Sequence, residues 1–257
     1  MTYTTKDVDF AIEVNEYGQP YVNPYFGCTA GCPFCYWLSV PGWEGKVDIR
    51  LNIADQLDRY CREREAERPR LYMGSYCDPY MEEAEAEYQL TRRCLEVAAG
   101  RRFPLTLCTS ARSELILRDL DLLRRIPGLT VVAELCRLDQ MERLNRGEDH
   151  VGVRMANRLS AAGLRVAATF APVLPGLADP AAVRERLAAD IPLYIDVMHV
   201  REGSVQQRRI LERVQALRPD LLDAYRAYFA GRRPEMDKEV LDMAGKENIR
   251  LFPIIEE

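Results

Sequence analysis

Short apolar runs alternate along the chain with longer stretches in which apolar residues recur at helical spacing. The runs rich in β-branched and aromatic residues predict strands at Gln19–Tyr25, Arg70–Tyr76, Pro104–Ser110, Leu129–Cys136, Arg165–Val173 and Leu193–Val200. The helical spacing predicts helices at Ile53–Ala66, Tyr88–Ala99, Arg112–Arg125, Val151–Ala162, Ala181–Ala189 and Ser204–Leu217. This alternation indicates βαβ units, whose right-handed crossovers give a parallel sheet covered by helices.

The number of units favours an incomplete barrel. A closed eight-stranded β/α barrel takes ~250 residues for its eight units alone, whereas this chain of 257 residues carries six. We therefore expect an α/β fold, a partial TIM-like (βα)6 barrel over residues 1–203, followed by a C-terminal helical extension, 204–257, packed on it within a single domain. Helical patterns at Asp220–Ala230 and Pro234–Lys246 and a short strand in Ile249–Ile255 would form this extension.

A doubly wound open sheet is the alternative architecture. The loop after the first predicted strand lacks the G-x-G-x-x-G phosphate cradle of a Rossmann fold, which favours the barrel.

Composition excludes several classes of protein. Apolar residues make up 47% and charged residues 29% of the chain, which excludes disordered and collagen-like proteins. No run approaches the ~18 apolar residues of a membrane span. The 35 basic residues are scattered and are outnumbered by 40 acidic ones, so there is no electrostatic footprint for nucleic acid. The N-terminus resembles neither a secretory nor a transit peptide, and we expect a cytoplasmic protein.

Cysteine is the informative residue type. The chain has eight, all within the first 136 residues, and clustered thiols in a cytosolic protein usually bind metal or do redox chemistry. Cys28, Cys32 and Cys35 form a C-x3-C-x2-C motif after the first predicted strand, where barrel loops build active sites. A structural zinc site normally needs four ligands. Three thiolates on a cubane cluster instead leave one iron open to a substrate or cofactor, so the spacing predicts a catalytic iron-sulfur site.

With Phe34 just before its third cysteine, this motif resembles that of the radical S-adenosylmethionine (SAM) enzymes. In that family three cysteines hold a 4Fe-4S cluster whose open iron binds SAM. An electron from the cluster splits SAM to a 5'-deoxyadenosyl radical, which takes a hydrogen atom from the substrate. The resemblance implies that Cys28, Cys32 and Cys35 hold the cluster, that Phe34 and the backbone of Tyr36 lie against the adenine, and that a flavodoxin or ferredoxin supplies the electron.

Further segments resemble the spore photoproduct lyase-like branch, namely Asn23–Tyr25, Gly74–Tyr80, Leu117–Leu123 and Pro172–Leu177. Within this resemblance Ser75 is expected to hold the methionyl amino group of SAM. Val173 is expected to lie beside the adenine, and Arg154 to neutralise the SAM carboxylate, unless it is simply a solvated helix residue.

The strand ends supply more candidates. Glu134 lies in an apolar strand, where burial against helices would be costly, so we expect it to face the barrel lumen and accept hydrogen bonds from SAM; the alternative is an ion pair with an exposed arginine. Cys77, Cys108 and Cys136 end adjacent predicted strands. They are candidate catalytic thiols that exchange a hydrogen atom or ligate a second metal, or else small residues packing a narrow lumen.

The remaining candidates have simpler interpretations. Cys61 and Cys94 lie within predicted helices, which indicates core packing. His199, with Asp196 at the end of the last strand, could face a substrate, whereas His150, beside an aspartate in a loop, is expected to be solvated.

We therefore expect a radical SAM enzyme that acts on a small metabolite or biosynthetic intermediate, because little chain is left to dock a macromolecule. One alternative is repair of a nucleic-acid lesion or modification of a nucleotide, as the branch suggests, although the acidic balance argues against nucleic acid. The other is a non-catalytic iron-sulfur or zinc protein.

Overall fold

A computed structural model describes residues 2–15, 17–41, 43, 45–74, 76–231 and 234–252. Its strands are β1 (Thr2–Lys6), β2 (Ile12–Val14), β3 (Pro20–Val22), β4 (Tyr25–Phe26), β5 (Lys46–Arg50), β6 (Leu71–Met73), β7 (Leu105–Thr109), β8 (Thr130–Glu134), β9 (Val166–Phe170), β10 (Leu193–Ile195) and β11 (Ile249–Leu251). Its helices are α1 (Ile53–Glu63), α2 (Glu82–Tyr88), α3 (Leu90–Arg101), α4 (Leu120–Leu123), α5 (Leu138–Asn145), α6 (Val151–Ala161), α7 (Pro180–Arg184), α8 (Val205–Leu217), α9 (Leu222–Phe229) and α10 (Pro234–Leu241). Single 3₁₀ turns cover Tyr36–Ser39, Leu115–Asp119 and Pro219–Leu221.

The predicted alternation of strands and helices is confirmed. Each predicted strand contains an observed one, usually shorter by several residues, and the expected C-terminal strand is present as β11, while residues 253–255 of that prediction lie outside the described residues. The strands β1, β2 and β5 and the helices α2 and α5 were not predicted.

Contacts divide the chain into two compact units. Unit 1 comprises residues 1–30, 44–133 and 155–166, and unit 2 comprises residues 31–43, 134–154 and 167–257. The predicted division between a barrel core and an extension after residue 203 stays a prediction.

Unit 1 contains a mostly parallel sheet. The strands β3, β6, β7 and β8 run parallel side by side, and β2 joins β3 in antiparallel register. Along β7 the side chains alternate, with Leu105 and Leu107 fully buried and Thr106 and Cys108 on the half-buried face. This is the inward and outward alternation that the apolar pattern predicts.

A second, three-stranded sheet of unit 1 holds the strand that precedes the cysteine motif. The central strand β5 pairs in parallel with β1 and antiparallel with β4, with Tyr25 opposite Ile49 and Phe26 opposite Asp48. Val47 and Ile49 are fully buried on one face of β5. The start of the motif loop is therefore fixed by a backbone ladder on a buried strand.

Unit 2 contains the parallel strands β9, β10 and β11, with Leu193 of β10 opposite Ala168 and Ile249. Its core gathers Leu138, Leu174, Leu177, Met198, Ile210, Val214, Tyr225, Tyr228 and Phe229. The helix α8 begins at Ser204, whose Oγ accepts a hydrogen bond from the backbone N–H of Gln207 at 3.1 Å. None of the described helices is both long and apolar enough to cross a bilayer.

Candidate active site

The cysteine motif begins directly after β4 with a glycine that no other residue can replace without movement. Gly27 has a φ of 105°, and a Cβ added to it would lie 2.2 Å from the carbonyl oxygen of Lys46 in unit 1. The loop then turns around the first thiol, because the backbone N–H of Ala30 donates to Cys28 Sγ at 3.4 Å. The fold thus presses the start of the loop onto β5.

All three motif cysteines are only partly buried. Cys28 belongs to unit 1, and Cys32 and Cys35 belong to unit 2, where the N–H of Cys35 donates to the carbonyl of Cys32 at 3.1 Å. In the part of the chain that the structure describes, no three His, Cys, Asp or Glu side chains converge closely enough to hold a metal ion. The donor set itself, three accessible thiols, fits a cluster with three cysteine ligands.

Aromatic side chains flank the third cysteine. Phe34 is partly buried and packs against the core of unit 2. Tyr36 opens a 3₁₀ turn, is 43% exposed, and has its ring centroid 5.1 Å from that of Trp37. Both residues therefore pack against other side chains at the motif, and their contact with adenine stays a prediction.

A glutamine that no sequence pattern singles out connects α8 to the motif. Gln206 Nε2 donates to the carbonyl oxygen of Cys35 at 3.2 Å and also to Ser39 Oγ. Gln206 is only 8% exposed. Its role depends on residues far apart in the chain, so no local pattern could have found it.

Cys77 is a buried thiol of unit 1. Burial chiefly raises its pKa well above the ordinary value, and the charges of Cys28 and Asp78 raise it further. The neighbouring Asp78 is itself buried and accepts hydrogen bonds from Thr109 Oγ1 at 2.9 Å and from Ser110 Oγ. The structure therefore brings Cys77, in the segment after β6, into the neighbourhood of Cys28 as a protonated thiol.

Cys136 is the corresponding thiol of unit 2. It is buried, and its Sγ donates to the carbonyl of Ala171 at 3.4 Å. Burial raises its pKa well above the ordinary value, and the charges of Glu134 and Cys32 add to the effect. Glu134 ends β8 with an exposed side chain near this thiol.

The other candidate residues are less closely grouped. Cys108 is a half-buried cysteine on β7. Arg154 is 43% exposed and forms an ion pair with Asp149 at 3.2 Å. Val173 is 1% exposed, and its N–H donates to the carbonyl of Asp196 at 2.8 Å. Ser75 lies outside the described residues.

The two histidines differ in environment. His199 is exposed, with Nε2 3.2 Å from Asp196 Oδ1. The expectation that His150 is solvated was wrong: it is 3% exposed, its Nδ1 accepts from the N–H of Val153 at 3.3 Å, and its Nε2 lies 3.2 Å from the carbonyl of Leu135. Burial lowers the pKa of His150, so the ring is a neutral structural partner rather than a site residue.

Cys61 and Cys94 pack in the core of unit 1 as predicted, both fully buried. Burial raises the pKa of Cys61 to about 12 and also raises that of Cys94. These thiols therefore have no part in the site.

Two fully buried carboxylates in unit 1 support the strand ends that lead into the site. Glu85 accepts hydrogen bonds from Tyr25 Oη and, at 2.7 Å, from Arg118 Nη2. Asp119 accepts from Tyr80 Oη at 3.1 Å and from Arg118 at 2.9 Å. Because Tyr25 directly precedes the motif loop, this network holds the loop's root through buried, paired charges. Its members Arg118 and Asp119 lie in Leu117–Leu123, which the sequence singled out only by resemblance.

Comparisons with known proteins place this geometry in context. No family model and no curated protein matches the sequence. Among solved structures, a mutant of spore photoproduct lyase with bound AdoMet (SAM) and dinucleoside spore photoproduct matches with a TM-score of 0.62 at 14% identity, over 97% of this chain and 81% of that chain. Another mutant of the lyase gives a TM-score of 0.63.

SuiB from Streptococcus suis, bound to its precursor peptide SuiA, matches with a TM-score of 0.53 at 14% identity, over 91% of this chain. This chain spans about half of SuiB, 48% of its length. The expectation of a partial TIM-like α/β barrel is thereby confirmed, and the chain has the fold of spore photoproduct lyase.

Proposed function

We propose that this protein is a radical SAM enzyme that cleaves SAM reductively at a 4Fe-4S cluster and abstracts hydrogen from a small metabolite or biosynthetic intermediate. The observation that carries the proposal is a C-x3-C-x2-C loop of three partly buried cysteines in a chain with the fold of spore photoproduct lyase. Motif and fold support it independently, because the fold match rests on backbone shape at only 14% identity.

Cys28, Cys32 and Cys35 would hold the cluster as thiolates. When bound, the cluster supplies the electron that splits SAM into methionine and a 5'-deoxyadenosyl radical, with a flavodoxin or ferredoxin as the external donor. The chain's own contribution is positioning. Gly27 allows the loop to lie against β5. Phe34 and the backbone of Tyr36 would lie against the adenine.

The polar groups would bind the charged parts of SAM. Glu134, exposed at the end of β8, would accept from the ribose hydroxyls or the amino group, and Arg154 would turn from Asp149 to the carboxylate. Ser75 would hold the amino group and Val173 would line the adenine side.

Cys77 and Cys136 are our first candidates for hydrogen-atom donors. Each is buried, each keeps its proton because burial raises its pKa, and each lies in the neighbourhood of a motif cysteine. Such a thiol gives its hydrogen atom to a substrate radical and becomes a thiyl radical, which one electron from the external donor and one proton return to the thiol. Cys108, half-buried, is the third candidate.

Serine at each of these three positions tests that role. A donor variant should retain iron and still form 5'-deoxyadenosine, while its substrate product changes or disappears. Serine at Cys61, a core thiol without a site role, is the matched control. Unchanged product and iron content in all three variants would leave the thiols with packing alone.

A small substrate is favoured by the net charge of −5, which disfavours phosphate backbones. Action on a nucleic-acid lesion or modified nucleotide is the second candidate, supported by the likeness to a lyase solved with a dinucleoside photoproduct. Oligonucleotides that carry the spore photoproduct should then stimulate SAM cleavage and bind at low salt. If they do neither, the small-molecule proposal stands alone.

The deciding experiment is anaerobic reconstitution with iron and sulfide, followed by dithionite and SAM. We expect about four irons per chain and the appearance of 5'-deoxyadenosine by mass spectrometry. The variant with alanine at all three motif cysteines should lose both. A loaded cluster without any 5'-deoxyadenosine would favour a non-catalytic iron-sulfur protein, and tetrahedral zinc in place of iron would favour a zinc protein.

A further inference from the structure

Among the described residues, Gln206 is a buried side-chain amide whose nitrogen is hydrogen-bonded and whose oxygen is not. Its Nε2 is fixed by two acceptors, the Cys35 carbonyl at 3.2 Å and Ser39 Oγ. Its Oε1 is buried and, among the described residues, has no hydrogen-bond partner. The side chain is 92% buried, since only 8% is exposed.

The assignment of the two ends follows from chemistry. A carbonyl oxygen accepts but never donates, so only the N–H end of the amide can face Cys35. A 180° flip would set two carbonyl oxygens against each other. The direction of Oε1 is therefore fixed by the motif backbone itself.

An unpaired buried carbonyl is costly, about 1–3 kcal/mol for a typical group. The surroundings give no relief, because Phe34 on one side of Cys35 packs against the apolar core of unit 2. A ligand that supplies the missing donor would account for such an acceptor.

We propose that Gln206 Oε1 is the acceptor for the exocyclic amino group of the adenine of SAM. The inference rests on the proposed function, which sets the adenine against Phe34 and the Tyr36 backbone. Gln206 bonds the backbone of Cys35, the residue between those two, so its Oε1 would meet the purine edge of SAM rather than the methionyl end. The same side chain would thereby select an aminopurine and lock the third cysteine of the motif.

The test pairs a change in the protein with a change in the ligand. Dissociation constants are measured anaerobically on reconstituted protein for SAM and for S-inosylmethionine, in which a carbonyl oxygen replaces the amino group. Two acceptors then face each other in the wild type, and we expect it to prefer SAM. In Gln206→Met this preference should fall about tenfold, which corresponds to about 1.4 kcal/mol.

Gln207→Met is the matched control, because it removes the same amide one residue along α8, where it bonds only the N–H of Gly203. Its preference for SAM should equal that of the wild type. Gln206→Glu keeps an acceptor oxygen without the N–H donor, and it should retain the preference even if its grip on Cys35 weakens. Iron content shows whether each variant still carries its cluster, and Gln206→Glu serves if the methionine variant does not.

An unchanged preference for SAM in Gln206→Met would overturn the proposal. Loss of that preference in both Gln206→Met and Gln206→Glu would also overturn it, because the loss would then come from the broken contact with Cys35. If the loaded wild type binds neither ligand, the proposed function itself fails. Binding without discrimination by the wild type removes only the role of Gln206.

Discussion

Removing one hydroxyl at the root of the motif loop should measurably destabilise the protein. Tyr25 is fully buried, and its Oη donates to the fully buried carboxylate of Glu85. Burial and the Glu85 charge raise the pKa of Tyr25 far above its ordinary value, so the phenol donates at every pH in normal use. Tyr25→Phe deletes this donor and leaves the ring in place.

The magnitude follows from what remains. Glu85 keeps the backbone N–H groups of Thr91 at 2.9 Å and Arg92 at 3.1 Å, and the guanidinium of Arg118 at 2.7 Å. Its charge is thus not orphaned, and the loss is one charge-assisted hydrogen bond, about 2 kcal/mol. For a chain of this length that is about 4–8 °C in Tm.

Urea unfolding followed by circular dichroism measures the effect, with an unchanged m-value as evidence that the folded structure persists. Tyr17→Phe is the control, because Tyr17 is 48% exposed and its substitution should cost less than about 0.5 kcal/mol. Glu85→Gln should cost more than Tyr25→Phe, because it removes the charge that assists the hydrogen bonds from Tyr25, Arg118 and Thr91. If Tyr25→Phe matches the wild type within about 0.5 kcal/mol, the network does not support the loop.

Three further predictions concern other parts of the chain. Gly27→Ala should sharply reduce iron loading, because the new Cβ would lie 2.2 Å from a backbone oxygen. Gly31→Ala, whose Cβ would have nothing within 4 Å, should cost only about 1–2 kcal/mol of left-handed backbone strain. Equal iron contents in the two variants would contradict this prediction. Burial lowers the pKa of His150 in the folded state below its unfolded value near 6.5, so the stability that His150 contributes is present above about pH 6.5 and is lost as pH falls through the folded pKa. In His150→Asn the free energy of unfolding in urea should therefore depend less on pH between about pH 7 and 5. An unchanged pH dependence would refute this. With a pKa of about 12, about one in 10,000 Cys61 thiols is ionised at pH 8. Iodoacetamide should therefore modify the motif cysteines of the cluster-free protein and leave Cys61 and Cys94 unmodified, as measured by mass spectrometry. Early labelling of Cys61 or Cys94 would show that the core opens.

Much of the fold was predictable because its strands are apolar and separated by amphipathic helices. The elements that the sequence analysis missed lack that signal. The strand β1 is Thr-Tyr-Thr-Thr-Lys and has no apolar face to detect. In α2, Glu82–Tyr88, the buried residues are Ala84 and Glu85, so the helix packs through a charge where the pattern calls for an apolar residue. The helix α5 does show apolar residues at helical spacing, yet its eight residues make the pattern too short to stand out.

The site was predictable in part for a related reason. Three thiols at C-x3-C-x2-C spacing are a local signal, whereas the roles of the cysteines near the strand ends stay predictions. Gln206 and Glu85 act through partners 171 and 60 residues away, a distance over which a single sequence carries no pattern. His150 shows the converse error, since an acidic neighbour in a loop suggested solvent and tertiary packing decided otherwise.

The sheet formed by β1, β5 and β4 bears on when the proposed cluster would be inserted. The strands β4 and β5 enclose the segment 27–45 and are already paired through Tyr25–Ile49 and Phe26–Asp48. Their main-chain ladder closes this loop, so binding of the proposed cluster would not have to supply the entropic cost of closing it. We therefore expect the polypeptide to fold first and the proposed cluster to be inserted afterwards, into a loop whose two ends are already fixed.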